Sequence, residues 1–498
     1  MNALLFDRSS GILGPNAFAR LQTAGLLASF SAAPRFRFDG GERPVEDAAG
    51  QPAGSSSVLP SGQGPDVWRV SLWAHQAGVS ALALERFEGR IMISGGSDAA
   101  IKLWDLEQCA NPWKPHTYHP VAVVPRAPSG PGPGPGSVGG HRFGITHLCF
   151  YPFDSAAFLS SSYDQTLKLW STERASVSGS FDLGAKAYAH AISPIAAHLL
   201  VACGTQHPAV RLVDLRSSAA VQSLVSPGQL GGSAGATLAV AWSPAHEHVL
   251  AAGSVDGRVR IWDVRKANGL VALLDQEDTV GIVDAETPRA PRLSAKAHAG
   301  PVNGLTWTDD GAYLVSAGHD GRIRVWDAAT GANTLANFGP SIRNSQMGTL
   351  TMFVSPVGLT PPGRELLFFP NETEILVMDL HEGSTVTRLR GMGPAVAAVG
   401  TRRGGERTVR NRVTCIAWRG AGGGGGSSGV VMGGSNAPGG VYSGHSDGQI
   451  RAWLPRLEGA DDEAESKDEE DASAARAKKR KVLDDAFRSL MGRQVTFS

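Results

Sequence analysis

Four cysteines in 498 residues, Cys109, Cys149, Cys203 and Cys415, lie far apart with no C-x-x-C pair. That spacing argues against a zinc site or a disulfide framework and fits a reducing compartment. No run of 18 apolar residues is present, and the opening MNALLFDRSS has an early Asp and no basic stretch ahead of an apolar core, so neither a membrane span nor a secretory signal is expected. An excess of either charge is missing too: 46 Lys and Arg stand against 46 Asp and Glu. Without a basic field, direct binding to nucleic acid or a membrane surface is not expected. No two of the 14 histidines fall at ligand spacing, so no metal or other cofactor is expected.

Turn formers, by contrast, are plentiful, with 62 Gly and 30 Pro, and they punctuate a repeat. The strings SGGSDAAIKLWD (94–105), SSSYDQTLKLWS (160–171), AGSVDGRVRIWD (252–263), SAGHDGRIRVWD (316–327) and SGHSDGQIRAW (443–453) place an Asp six residues before a Trp. The pairs are Asp98 and Trp104, Asp164 and Trp170, Asp256 and Trp262, Asp320 and Trp326, and Asp447 and Trp453. Small residues end a strand, the chain turns at Asp, and apolar positions such as Ile323 and Val325 then alternate with Arg322 and Arg324; this is a β-hairpin. His75, His141 and His298 stand 28 or 29 residues ahead of their Trp, and Ser94, Ser160, Ser316 and Ser443 stand four ahead of the turn Asp.

The pattern resembles the WD40 repeat, which implies four-stranded propeller blades in which His, Asp, Ser and Trp share hydrogen bonds. Two degenerate copies, with Val213 in the Trp place of 201–216 and only Asp379 kept in 371–380, bring the count to seven. The expected fold is all-β: a seven-bladed propeller over 67–456, with insertions near 121–140, 271–296 and 420–440. Residues 67–73 are expected to supply the outer strand of the last blade and close the ring. Ahead of it lie a helical segment (1–35) and a low-complexity linker (36–66), and after it a disordered charged tail (457–498). Blade 4 lacks the His, with Ser233 at that spacing.

Enzyme-like strings dissolve on inspection. Gly444-His445-Ser446-Asp447-Gly448 fits G-x-S-x-G, but a strand follows where a nucleophile elbow needs a helix. Prolines interrupt Gly134, Gly136 and Gly139, leaving a linker rather than a phosphate cradle. Asn371 begins a glycosylation sequon that matters only in an exported chain. No catalytic residue is expected.

Trp262-Asp263-Val264-Arg265 forms a W-D-x-R sequence that resembles the docking box of cullin-4 ligase receptors, with Arg265 emerging on the narrow-face side to make charge-assisted bonds. A weaker copy, Asp214-Leu215-Arg216, lacks the Trp. A helix over 14–30 would gather Phe18, Leu21 and Leu26 on one side, an apolar face that needs a surface. In the tail, acidic residues give way to AKKRKV, whose Lys478, Lys479, Arg480 and Lys481 resemble a nuclear import signal. Together with stretches such as 90–107, 141–170, 188–205, 239–269 and 331–339, these features resemble the Cockayne syndrome group A family of WD-repeat receptors. The resemblance implies a nuclear, non-enzymatic substrate-recognition subunit of a cullin-4 RING ubiquitin ligase in transcription-coupled nucleotide excision repair. Its implied partners are the large subunit of the damage-specific DNA-binding protein as adaptor, the cullin-4 ligase, the Cockayne syndrome group B ATPase and RNA polymerase II. The alternative is a propeller scaffold in chromatin or RNA processing without ligase linkage; a hydrolase using Ser446 stands third.

Overall fold

The hairpins seen in the sequence assemble into seven antiparallel sheets in a computed structural model, which describes residues 2–12, 30–33, 36–41, 73–109, 116–128, 139–217, 221–225, 235–266, 269–281, 294–355, 360, 363–390, 411–419 and 440–455. Blade 1 comprises Val79–Leu84, Ile91–Gly96, Ile101–Asp105 and Pro120–Val124; blade 2, Ile145–Phe150, Ala157–Ser162, Thr166–Ser171 and Ser176–Asp182. Blade 3 comprises Ala187–Ile192, Leu200–Thr205, Val210–Asp214 and Val221–Leu224; blade 4, Thr237–Trp242, Val249–Ser254, Val259–Asp263 and Leu270–Leu273. Blade 5 has Val302–Trp307, Tyr313–Gly318 and Ile323–Asp327, and blade 6 has Phe353–Val354, Leu366–Asn371, Glu374–Asp379 and Thr385–Leu389. Val413–Arg419, Gly440–His445 and Ile450–Pro455 begin blade 7. The fold is the seven-bladed propeller, including the two degenerate blades, because an apolar strand can be kept where its Trp is lost.

Closure differs from the expectation. The outer strand of blade 7 is Phe30–Ala33, which pairs antiparallel with Ile450–Pro455 in a register that sets Phe30 opposite Pro455; residues 67–72 lie outside the described residues. Phe36–Phe38 then runs parallel to His116–Tyr118, so the propeller begins within the stretches assigned to a helical segment and a linker. The reason is burial. Phe36 and Phe38 join Trp104, Tyr118, Tyr442 and Ile450 in the core between blades 7 and 1, and Phe38 stacks on Tyr118 at 4.9 Å and meets Trp104 edge-on at 5.2 Å. Likewise, residues 121–124 and 271–273, expected inside insertions, are outermost strands. The described N-terminal helix is Asn2–Ser9; the expected helix over 14–30 lies outside the described residues except for Phe30, which is strand.

The core sits between blades rather than within one. Six more apolar clusters occupy the remaining blade junctions, such as Ile93, Ile145 and Trp170 between blades 1 and 2, or Val259, Val302 and Trp326 between 4 and 5. The neighbours approach closely enough to demand glycine: a Cβ on Gly95 would lie 2.7 Å from Ile145, and one on Gly253 would lie 2.8 Å from Val302. Among the described residues no helix is long and apolar enough to cross a membrane.

Because Phe38 is buried at the closing junction, Phe38→Ala is expected to cost about 3–5 kcal/mol. Chemical denaturation of the purified chain checks this, and an unchanged midpoint would show that the strap is dispensable.

Candidate protein-interaction site

Among the described residues, three blades carry the full hydrogen-bonded set. In blade 1 the Trp104 indole donates to Ser94 Oγ at 2.8 Å, Ser94 meets His75 Nε2 at 2.7 Å, and His75 Nδ1 lies 3.2 Å from both Asp98 oxygens. The corresponding distances are 2.7, 2.6 and 2.8 Å for Trp170, Ser160, His141 and Asp164, and 2.8, 2.8 and 3.0 Å for Trp326, Ser316, His298 and Asp320. In blades 1 and 2 one proton arrangement satisfies the set: Ser donates to Nε2, and a neutral His donates from Nδ1 to the carboxylate; in blade 5 Arg324 Nη1 also lies 2.7 Å from His298 Nδ1. Each Asp also accepts backbone N–H groups from the loop before its blade and from its own turn, as Asp98 does from Gln76 and Ala100, so it ties those segments together. Burial pushes His141 and His298 below the usual imidazole range despite the neighbouring carboxylate. Burial alone would raise Asp98, Asp164 and Asp320, but the His hydrogen bond and the other donors around each carboxylate together outweigh it and hold all three below the carboxylate range.

Blades 4 and 7 depart from the set. In blade 4, Ala252 occupies the Ser position, and the Trp262 indole nitrogen has no hydrogen-bond partner among the described residues. The missing His is replaced by Arg260, which donates to Ser254 at 2.8 Å and to Asp256 at 2.6 Å. In blade 7, Asn411 donates to Asp447 at 2.6 Å, while His445 takes Ser443 at 2.8 Å. Without a histidine partner, Asp447 is pushed up by burial. Sequence reasoning missed these substitutes, although one signal was present: Lys102, Lys168, Arg260, Arg324 and Arg451 all stand two residues before a repeat Trp.

At the far end of the blade 4 strand, Asp263 and Arg265 form a two-pronged ion pair, Nε to Oδ1 at 3.1 Å and Nη2 to Oδ2 at 2.9 Å. The Asp263 side chain is 6% exposed and that of Arg265 63%, so a buried carboxylate presents a fixed guanidinium to solvent. The Arg265 hydrogen bond holds Asp263 below the carboxylate range. Blade 1 has a related clamp that the sequence did not reveal, Arg90 on Asp105 at 2.8 Å; in the weaker copy, Asp214 accepts the Arg216 backbone N–H at 2.9 Å. Phe18, Leu21, Leu26, Lys478, Lys479, Arg480 and Lys481 lie outside the described residues. Ser446 Oγ accepts the Arg412 backbone N–H at 2.9 Å and lies 3.4 Å from Asn411 Oδ1, and the strand Ile450–Pro455 follows, an environment for a turn rather than for a nucleophile. Among the described residues no three His, Cys, Asp or Glu side chains gather as metal ligands.

Two outcomes follow from this geometry. Ser160→Ala removes the acceptor of a buried indole and should cost about 1–3 kcal/mol, whereas Ala252→Ser supplies the acceptor Trp262 lacks and should stabilise by up to about 1 kcal/mol; paired thermal melts check the opposite signs. Acid should weaken the fold in two stages. A histidine whose folded pKa is depressed contributes stability that is intact above its unfolded value, about 6.5, and lost as pH falls through the folded value, which burial sets at about 4 for His147. His141, His190, His298 and His445 are depressed likewise, and the depressed Asp98, Asp164 and Asp320 add their loss below the ordinary 3.8. Melting temperature should therefore fall from pH 7 to pH 4; a flat profile would contradict this.

The family model for "WD domain, G-beta repeat" matches residues 68–105, 135–171, 226–263 and 290–327. Those segments end on the third strands of blades 1, 2, 4 and 5, which keep the Asp and Trp. The chain is 28% identical over 376 residues to WD repeat-containing protein ATCSA-1 of Arabidopsis thaliana, covering 64% of this chain and 79% of that one. It is 29% identical to Radiation-sensitive protein 28 of Saccharomyces cerevisiae, over 38% of this chain and 39% of that protein. It is also 28% identical to Ribosome biogenesis protein ytm1 of Aspergillus niger, over 52% of this chain and 54% of that protein. The chain thus spans only about half of the ytm1 protein and less of the yeast one. Equal identity to ATCSA-1 and to ytm1, with further ytm1 proteins at 27%, overturns the resemblance to the Cockayne syndrome group A family. The seven sheets, the shared Trp–Ser–His–Asp sets and the matched repeats make this chain a WD40-repeat β-propeller.

Proposed function

We propose that the chain is a non-catalytic nuclear recognition subunit of a cullin-4 RING ubiquitin ligase, docked on the damage-specific DNA-binding protein's large subunit through Arg265. The observation that carries this reading is the Asp263–Arg265 clamp, a guanidinium already oriented by a buried carboxylate. Pre-orientation lowers the ordering cost of a partner's hydrogen bonds. Phe18, Leu21 and Leu26 would add an apolar helix to that docking, and Lys478, Lys479, Arg480 and Lys481 would direct nuclear import. The relative named Radiation-sensitive protein 28 supports a setting in the response to radiation damage; within it the reading sets the chain in transcription-coupled excision repair, with RNA polymerase II and the group B ATPase as the proteins presented for ubiquitin transfer. The second reading, a scaffold in RNA processing without ligase linkage, draws on the ytm1 relatives.

Affinity purification separates the two. The cullin-4 adaptor should copurify with the chain and fall at least about tenfold with Arg265→Ala, a loss of about 1.4 kcal/mol. Adaptor recovery unaffected by Arg265→Ala would contradict the docking role, and pre-ribosomal particles in place of the adaptor would favour the scaffold.

A further inference from the structure

The opposite face of the ring, where the turn aspartates lie, has a mouth crossed by residues 340–350. This strut is fastened on several sides. Thr349 Oγ1 lies 3.0 Å from the Tyr188 carbonyl of blade 3 and 2.8 Å from that of Leu238 in blade 4. Gln346 donates to the Thr414 carbonyl of blade 7 at 2.9 Å, and its own carbonyl accepts from His319 of blade 5 at 2.8 Å. The strut therefore partitions the mouth, leaving an off-axis pocket of 430 Å³ walled by Tyr163, Tyr188, Leu238, Val255 and Met347, with Lys186 at its edge. Met347 is 77% exposed and Tyr163 40%, unusual for large apolar side chains over a cavity of ligand size.

Exposed cations outnumber exposed carboxylates on this face once its internal pairs are counted. Arg260, Arg324 and Arg451 hold Asp256, Asp320 and Asp447 at 2.6, 3.0 and 3.3 Å, while Asp98 and Asp164 are engaged by His75 and His141. The arginines thus neutralise three of these carboxylates, and the histidines tie up the other two by hydrogen bonds. Arg142, Lys186, Arg322, Arg343 and Arg412 on the same turns and connections remain exposed; against them stand the exposed Asp182, on the connection that carries Lys186, and Glu372, half-buried beneath Ser345. Desolvated, paired anions beside solvated cations leave a positive rim around an apolar pocket.

We propose that this mouth binds an acidic protein segment that anchors one apolar side chain in the pocket beside Met347 and sets its carboxylates against Lys186 and the neighbouring arginines. A side-chain-sized apolar floor and cations spread around a ring favour such a segment over a nucleic-acid backbone, which calls for a continuous basic track. The inference does not rest on the ligase reading, since it concerns the end of the blades away from Arg265.

The test uses the purified full chain and a fluorescein-labelled twelve-residue peptide of Asp and Glu around a central Leu-Phe pair. Fluorescence anisotropy should show saturable binding that weakens with salt, falls about tenfold or more when Leu-Phe becomes Gly-Gly, and falls similarly with Lys186→Glu or Met347→Glu. Both substitutions are at exposed positions and should leave the melting temperature unchanged, and Arg265→Ala should leave peptide binding unchanged. No saturable binding, binding indifferent to the Gly-Gly replacement or to both pocket variants, or tighter binding of a twelve-nucleotide single strand that the same variants abolish would overturn the proposal.

Discussion

Each blade of this propeller buries apolar side chains on both of its faces, so the ring must close or leave one face in water. Closure is the constraint from which the rest of the structure follows. It is met by strands from distant parts of the chain: Phe30–Ala33 completes the sheet that Val413–Arg419, Gly440–His445 and Ile450–Pro455 begin, and Phe36 and Phe38 fill the junction with blade 1. Gly40 continues the same fastening, its carbonyl accepting from the buried Lys102 at 3.1 Å. The edge that an open ring would expose is paired.

Within a closed ring, the shared Trp–Ser–His–Asp sets of blades 1, 2 and 5 fix each turn to the connection before it. They also determine where charge lies. The turn carboxylates face inward to histidines, backbone N–H groups or the arginines two residues before the repeat Trp, whereas Arg265, at the other end of its blade, faces outward on an Asp263 buried behind it. The two ends of the blades thus differ in chemistry: one offers a clamped guanidinium, the other a positive rim around an apolar pocket.

Much of this was legible in the sequence because the repeat encodes it locally. The six-residue spacing of Asp and Trp gave the turn and its strand, and apolar alternation without Trp was enough to place blades 3 and 6. Closure was not legible. FSAA at 30–33 is too short and too weakly patterned to outrank VWRVSLW, and nothing local says which strand a distant edge will choose. Blade 7 hid its substitute for the same reason: a glycine-rich insertion separates Asn411 from Asp447 by 36 residues, outside the spacing that marks the other blades. In blade 4, Arg260 was visible as a strand residue, but its role depends on the absence of a histidine and becomes apparent only in three dimensions.

The central claim, that one face docks an adaptor while the other receives a client, is tested most directly by amine-reactive cross-linking mass spectrometry of the complex purified from cells. Two lysines report on the two ends: Lys266, 64% exposed beside the Asp263–Arg265 clamp, and Lys186 at the edge of the pocket. The account predicts adaptor cross-links at Lys266 and client cross-links at Lys186. Adaptor cross-links confined to Lys186, or client cross-links at Lys266 alone, would contradict it.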